Sequence, residues 1–110
     1  MARTLINMPT NPARGEVIEI RTLIAHNMET GYRPGADGRV LPRDLIRRFT
    51  CSFDDGSSNE PVFSAELFPA IAANPYIAFH FAATGSGTLR FVWEGDNGFT
   101  QTETVAIRVA

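Results

Sequence analysis

Apolar residues along this chain recur with a period of two rather than 3.6, and glycines and prolines cut the pattern into short runs. Across residues 16–26, Ile18, Ile20 and Ile24 share one phase, with Glu19 and Arg21 on the other. Successive strand side chains point to opposite faces, so this alternation marks a strand with one buried side. Residues 45–53 repeat it: Leu45, Phe49, Cys51 and Phe53 share a phase, while Ile46 interrupts the polar phase of Arg48, Thr50 and Ser52. Residues 62–68 set Phe63, Ala65 and Leu67 against Ser64 and Glu66. Residues 88–94 set Leu89, Phe91 and Trp93 against Arg90 and Val92. Residues 99–109 close the series, with Val105, Ile107 and Val109 alternating with Thr104, Ala106 and Arg108.

Residues 76–83 break the rule in an informative way. Ile77, Phe79 and Phe81 share one phase and Tyr76, Ala78, His80 and Ala82 the other, and neither phase carries a carboxylate or a guanidinium. A strand with one wet face normally shows polar alternation, whereas one covered on both sides does not. The second phase therefore predicts a partner surface, because roughly a few hundred Å² of contiguous apolar area rarely stays bare on a monomer. Tyr76, His80 and Val92 are the candidate interface residues, with Ala78 as the small residue that permits close approach. Phe91 and Trp93 read as core, although Trp is also a common interface anchor.

The connections are turns by composition. Asp54-Asp55-Gly56-Ser57-Ser58-Asn59 suits carboxylates that cap their own backbone. Thr84-Gly85-Ser86-Gly87 is a tight turn, and Glu94-Gly95-Asp96-Asn97-Gly98 is a hairpin loop whose Asn-Gly pair favours positive φ. Residues 30–39 form a glycine-rich loop made cationic by Arg33 and Arg39. Residues 69–75, alanine-rich between Pro69 and Pro75, leave room for a helical turn or two at most. Short strands at this spacing predict an all-β, immunoglobulin-like sandwich of about seven strands, a single domain over residues 1–110.

Composition narrows the chemistry. A chain of 110 residues with 44% hydrophobic content can bury one core unaided. It holds one cysteine, Cys51, two histidines, His26 and His80, ten arginines and no lysine. One cysteine makes no internal disulfide, and with two distant histidines it falls short of a structural zinc site. Without lysine there is no Schiff-base chemistry and no P-loop lysine. A net charge of −2 gives no basic footprint for nucleic acid, and no apolar run approaches a membrane span or a signal-peptide core. No cofactor motif survives: Gly85-Ser86-Gly87 lacks the third glycine of a nucleotide loop, and a strand follows it rather than a helix. Cys51 shares a phase with Phe49 and Phe53, which points to a buried thiol; a Cys51/His80 dyad needs the two side chains within hydrogen-bond reach. His26 reads as an exposed turn residue.

The run Leu67-Phe68-Pro69-Ala70-Ile71-Ala72-Ala73-Asn74-Pro75-Tyr76-Ile77-Ala78-Phe79 resembles the SoxZ family. So do Gly85-Ser86-Gly87-Thr88-Leu89, Phe91-Val92-Trp93 and Asp96-Asn97-Gly98. The likeness extends through Gly15-Glu16-Val17 and Met28-Glu29-Thr30-Gly31-Tyr32-Arg33 over nearly the whole chain. That resemblance implies an immunoglobulin-like, non-catalytic subunit paired with SoxY in a heterodimer, the sulfur carrier of bacterial thiosulfate oxidation. It further implies that thiosulfate-derived sulfur is held covalently on a cysteine in a glycine-flanked C-terminal arm of SoxY, which visits SoxAX, SoxB and SoxCD. It implies a periplasmic location, reached by export with SoxY and without a signal peptide of its own. The carrier motif does not map onto this chain, because residues 104–110 hold neither a cysteine nor a glycine run. Two rival readings remain at this level: a free-standing immunoglobulin-like binding module, and a small thiol enzyme using Cys51 and His80.

Overall fold

The computed structural model describes residues 3–26, 28–29, 31–32, 34–67 and 74–109. Seven strands follow one another: β1 (Thr4–Asn7), β2 (Glu16–Ile24), β3 (Ile46–Asp54), β4 (Asn59–Glu66), β5 (Tyr76–Ala83), β6 (Gly87–Gly95) and β7 (Thr100–Ile107). A 3-10 turn, Asp96–Gly98, links the last two. Every pairing is antiparallel. The strands form a three-stranded sheet in the order β1-β2-β5 and a four-stranded sheet in the order β4-β3-β6-β7. This is the all-β sandwich that the period-two pattern predicts. The pattern does not single out β1, whose apolar pair Leu5-Ile6 is too short for a period to register. The helical turn expected near residues 69–75 lies mostly outside the described residues.

The sheets meet through their inward phases. Ile18 and Ile20 of β2, Phe79 and Phe81 of β5, Phe49 and Cys51 of β3, and Leu89, Phe91 and Trp93 of β6 are all buried. Aromatic rings carry the contact: Phe49 lies 6.1 Å from Phe79 across the sandwich and 5.1 Å from Trp93 within its own sheet. Phe53 meets Phe81 at 5.2 Å. Ile46 does not follow the polar phase expected of it. A register shift against β6 between Ile46 and Arg48 turns both Leu45 and Ile46 inward, as a bulge allows.

The two sides of the sandwich close differently. At the β1/β7 side, Thr4 Oγ1 donates to Glu103 Oε2 at 2.7 Å and Gln101 Nε2 donates to the same oxygen at 2.9 Å. At the β4/β5 side, Phe63 stacks on Phe79 with centroids 4.4 Å apart.

At one end, the 3-10 turn anchors the segment entering β3. Gly95 pairs with Ile46 so closely that a Cβ there would run into the Leu45 carbonyl oxygen. The Asp96 N–H donates to that same oxygen at 2.8 Å. In return the Leu45 N–H donates to Asp96 Oδ2 at 3.1 Å, and Arg43 grips both carboxylate oxygens at 3.0 and 3.1 Å. Asn97 (φ 60°) and Gly98 (φ 74°) adopt the positive φ that their pair favours. Burial pushes the Asp96 carboxyl up, but the Leu45 amide and the Arg43 and Arg47 guanidiniums outweigh it and hold it below the ordinary carboxylate range.

A carboxylate held low in the folded state stabilises fully above its unfolded pKa, and that contribution fades as pH falls through the folded one. Asp96→Asn is therefore expected to destabilise the fold by about 1–3 kcal/mol at neutral pH, as for a charge-assisted hydrogen bond. In urea titrations across pH, the gap between wild type and variant is expected to close on acidification. A gap that is constant down to acid pH contradicts the anchor.

Candidate functional site: the outward face of the three-stranded sheet

With Phe79 and Phe81 buried and Ile77 half-buried, β5 turns Tyr76, Ala78, His80 and Ala82 outward, all exposed. Strand register then builds a face around them. Leu5 pairs with Leu23 and Leu23 with Tyr76, so three apolar side chains form one row across β1, β2 and β5. Leu5 is 65% exposed and Tyr76 59%. Together with Arg21 they line a shallow depression of about 180 Å³. The next rows hold Asn7, Arg21 and Ala78, then Glu19 opposite His80, then Val17 opposite Ala82. Arg21 Nε donates to Glu19 Oε1 at 2.6 Å, so the charges in the middle of the face neutralise each other.

The outward face of the other sheet has a different character. Arg48, Thr50 and Ser52 of β3, Arg90 and Glu94 of β6, and Thr102 and Thr104 of β7 occupy it. Val92 stands there, half-buried between Thr50 and Thr102. Structure thus brings Tyr76, Ala78 and His80 together and separates Val92 from them. The physical reason is the turn at residues 84–86, which carries the chain from one sheet to the other rather than joining neighbours in a single sheet. Leu5, Leu23 and Val17, absent from the sequence-based candidates, complete the face. Leu23 and Val17 carried a signal, since they are apolar residues on the polar phase of β2.

The titratable groups are placed otherwise. Cys51 has no exposure and lies between Phe63 of β4 and Phe91 of β6. Burial pushes its thiol up to about 12. His80 faces outward on the opposite sheet, so the two form no dyad. His26 is not the exposed turn residue expected: its side chain is 8% exposed, edge-on to Phe99 at 5.2 Å. Its Nδ1 accepts the Met28 N–H at 3.0 Å, and its Nε2 lies 3.7 Å from the Asp44 carboxylate. The left-handed Met28 (φ 55°) folds the chain back to make this possible. The His26 N–H donates to Asn74 Oδ1 and the Asn74 N–H to the His26 carbonyl, clasping the end of β2 to the entry of β5. Asp55 works as its sequence suggests: the Ser57 and Ser58 N–H groups donate to its Oδ1 and hold the carboxyl low.

A cleft of about 500 Å³ near the 3-10 turn is lined by Arg43, Arg47 and Arg48, faced by Glu66 and Glu94. Arg43 and Arg47 lie against Asp96, and Arg48 is 4.0 Å from Glu66, so the cleft presents balanced charge and no nucleophile. Among the described residues no group of three or more His, Cys, Asp and Glu side chains is placed to hold a metal ion.

Cys51 is expected to resist thiol reagents at neutral pH and to react only when the sandwich opens. Its labelling rate should therefore rise with denaturant alongside global unfolding. Rapid labelling of the native chain would revive the thiol-enzyme reading.

Comparison with known proteins bears on this geometry. Solved structures share the fold at low identity. A superoxide reductase (neelaredoxin) from Ignicoccus hospitalis matches with TM-score 0.74 and 15% identity, over 97% of this chain and 80% of that one. A superoxide reductase from Nanoarchaeum equitans matches with TM-score 0.68 and 12% identity, over 94% and 90%. The sulfur carrier protein SoxY from Chlorobium limicola f. thiosulfatophilum matches with TM-score 0.66 and 11% identity, over 96% and 74%. At these identities the likeness is one of fold alone. No curated protein matched the sequence. The family model described as sulphur oxidation protein SoxZ matches residues 6–106. With that match spanning nearly every strand described above, the chain belongs to the SoxZ family of sulphur oxidation proteins.

Proposed function

We propose that this chain is the non-catalytic half of a SoxYZ carrier and that it receives SoxY on the outward face of β1, β2 and β5. In this reading, thiosulfate-derived sulfur rides on the cysteine arm of SoxY. The present chain stabilises SoxY and helps present that arm to SoxAX, SoxB and SoxCD in the periplasm. The observation that carries the surface assignment is the apolar cross-strand row of exposed Leu5, half-buried Leu23 and exposed Tyr76, on a sheet whose counterpart is mostly polar outside. Leaving such a row in water forgoes the stabilisation of its burial, and a second protein surface recovers it. The placement of Cys51 supports the division of labour, because a fully buried thiol held protonated is a poor sulfur acceptor. A free-standing binding module would use the same face, most simply for a second copy of itself.

Tyr76→Asp is expected to weaken SoxY binding at least about tenfold, as for loss of a buried aromatic anchor. Thermal unfolding of the isolated chain should barely change, since the side chain is exposed. Val92→Thr, on the opposite sheet, should leave affinity unchanged. Calorimetric titration of SoxY into each variant makes the comparison. A wild-type chain that stays monomeric in the presence of SoxY, or a Val92 effect larger than that of Tyr76, contradicts the proposal.

A further inference from the structure

The backbone of β5 offers more than a face. The Ile24 N–H donates to the Pro75 carbonyl at 3.3 Å, and the register continues through Thr22 with Ile77, Ile20 with Phe79 and Ile18 with Phe81. In an antiparallel ladder, alternate pairs exchange hydrogen bonds and the residues between them turn their N–H and C=O groups to the other side. Ile77, Phe79 and Phe81 are thus bonded to β2, while Tyr76, Ala78, His80 and Ala82 direct their backbone groups away from it. The sheet order β1-β2-β5 places no further strand there. Among the described residues, only the Ala82 carbonyl is taken, by the Thr84 N–H at 3.0 Å.

Soluble proteins blunt such edges with shortness, proline, charge or bulges. The other edges carry these devices. β1 has four residues. β4 contains Pro61, Glu60 and Glu66 and shifts register opposite Cys51 and Ser52. β7 carries Glu103, tied to Thr4, and its end is held where the Arg108 N–H donates to the Thr10 carbonyl. β5 runs eight residues with no proline, no carboxylate, no guanidinium and no register shift.

Among the described residues, no strand continues the smaller sheet beside this edge. Phe79 touches both Phe49 of β3 and Phe63 of β4, so β5 lies over the line between those strands. Phe63, on the inward phase of β4, and Leu67, just past its end, stay half-buried, as does Ile77. A strand added to β5 would sit one strand spacing further out, about 4.8 Å, over the inner face of β4.

We infer that the free edge of β5 pairs with an edge strand of the partner, extending the three-stranded sheet to four and covering Phe63 and Leu67. This rests on the proposed pairing with SoxY and specifies its geometry. The occupant is a folded sandwich rather than a lone peptide. A stable interface buries about 800 Å² on each partner, over about 20–30 residues a side, and eight strand residues alone supply too little. A folded partner whose own edge meets β5 reaches both the Phe63–Leu67 seam and the adjoining Leu5–Leu23–Tyr76 row, whereas an extended peptide reaches only the seam. The sulfur carrier protein SoxY shares this sandwich fold, so the partner proposed above is itself a folded sandwich.

Two measurements on the full chain with SoxY test the pairing. Ala78→Pro and His80→Pro each delete an outward N–H while sparing the β2 ladder, and edge positions of this kind tolerate proline. Each is expected to fold and to bind SoxY about 10- to 100-fold more weakly through lost strand pairing. Amide hydrogen exchange of the unmodified chain needs no variant to fold. The amides of Ala78, His80 and Ala82 should exchange freely in the isolated chain and slow at least about tenfold in the complex, while those of Ile77, Phe79 and Phe81 are slow in both. Unchanged exchange at the three outward amides in a complex that Tyr76→Asp still weakens overturns edge pairing and leaves SoxY on the face. Protection of the same amides in a homodimer of the chain alone overturns the choice of occupant. A wild-type chain that does not bind SoxY at all overturns the underlying reading.

Discussion

The packing of Phe49 is the contact on which the rest of the molecule depends. It sits on β3, the strand that pairs with β4 on one side and β6 on the other, and has no exposure. Its ring meets Phe63, Phe79, Phe91 and Trp93. Through Phe79 it ties the smaller sheet to the larger and fixes the rotational phase of β5. A strand side chain has only two sides to choose from, so holding Phe79 inward commits Tyr76, Ala78 and His80 to the outside. The same commitment turns their backbone groups toward the free edge. The core and the outward face of β5 are two sides of one constraint.

That constraint also explains where the reactive groups went. The inward phase of β3 includes Cys51, so the thiol fills a gap between aromatic rings and stays protonated. His26 locks the end of β2 against Phe99 and Asn74, and Asp96 holds the chain entering β3. Each of these side chains is committed to the framework. The arginines near Asp96 follow the same economy, their charge balanced by Asp96 and Glu66.

Much of this was legible in the sequence, for reasons that differ by element. β2 to β7 were readable because each carries several large apolar residues on one phase. β1 was not, because Leu5 and Ile6 point to opposite sides and Leu5 gains meaning only when register sets it beside Leu23. Phase placed Tyr76, Ala78 and His80 on one side of β5 and Val92 on one side of β6. It says nothing about which sheet a strand joins, so Val92 was grouped with residues that the turn at 84–86 sends elsewhere. Ile46 was misread because a bulge breaks strict alternation, and His26 because a left-handed Met28 folds a turn residue back under cover. In each case the missing information was a long-range pairing or a single backbone conformation, which local periodicity does not encode.

The central claim is that the sulfur chemistry belongs to the partner and this chain supplies the surface. Intact-mass analysis of both chains of the complex, after turnover with thiosulfate and the Sox enzymes, tests it directly. The account predicts that sulfur adducts appear on the SoxY chain alone, with the mass of this chain and the protection of Cys51 unchanged. An adduct on Cys51 that forms in the folded complex would contradict it.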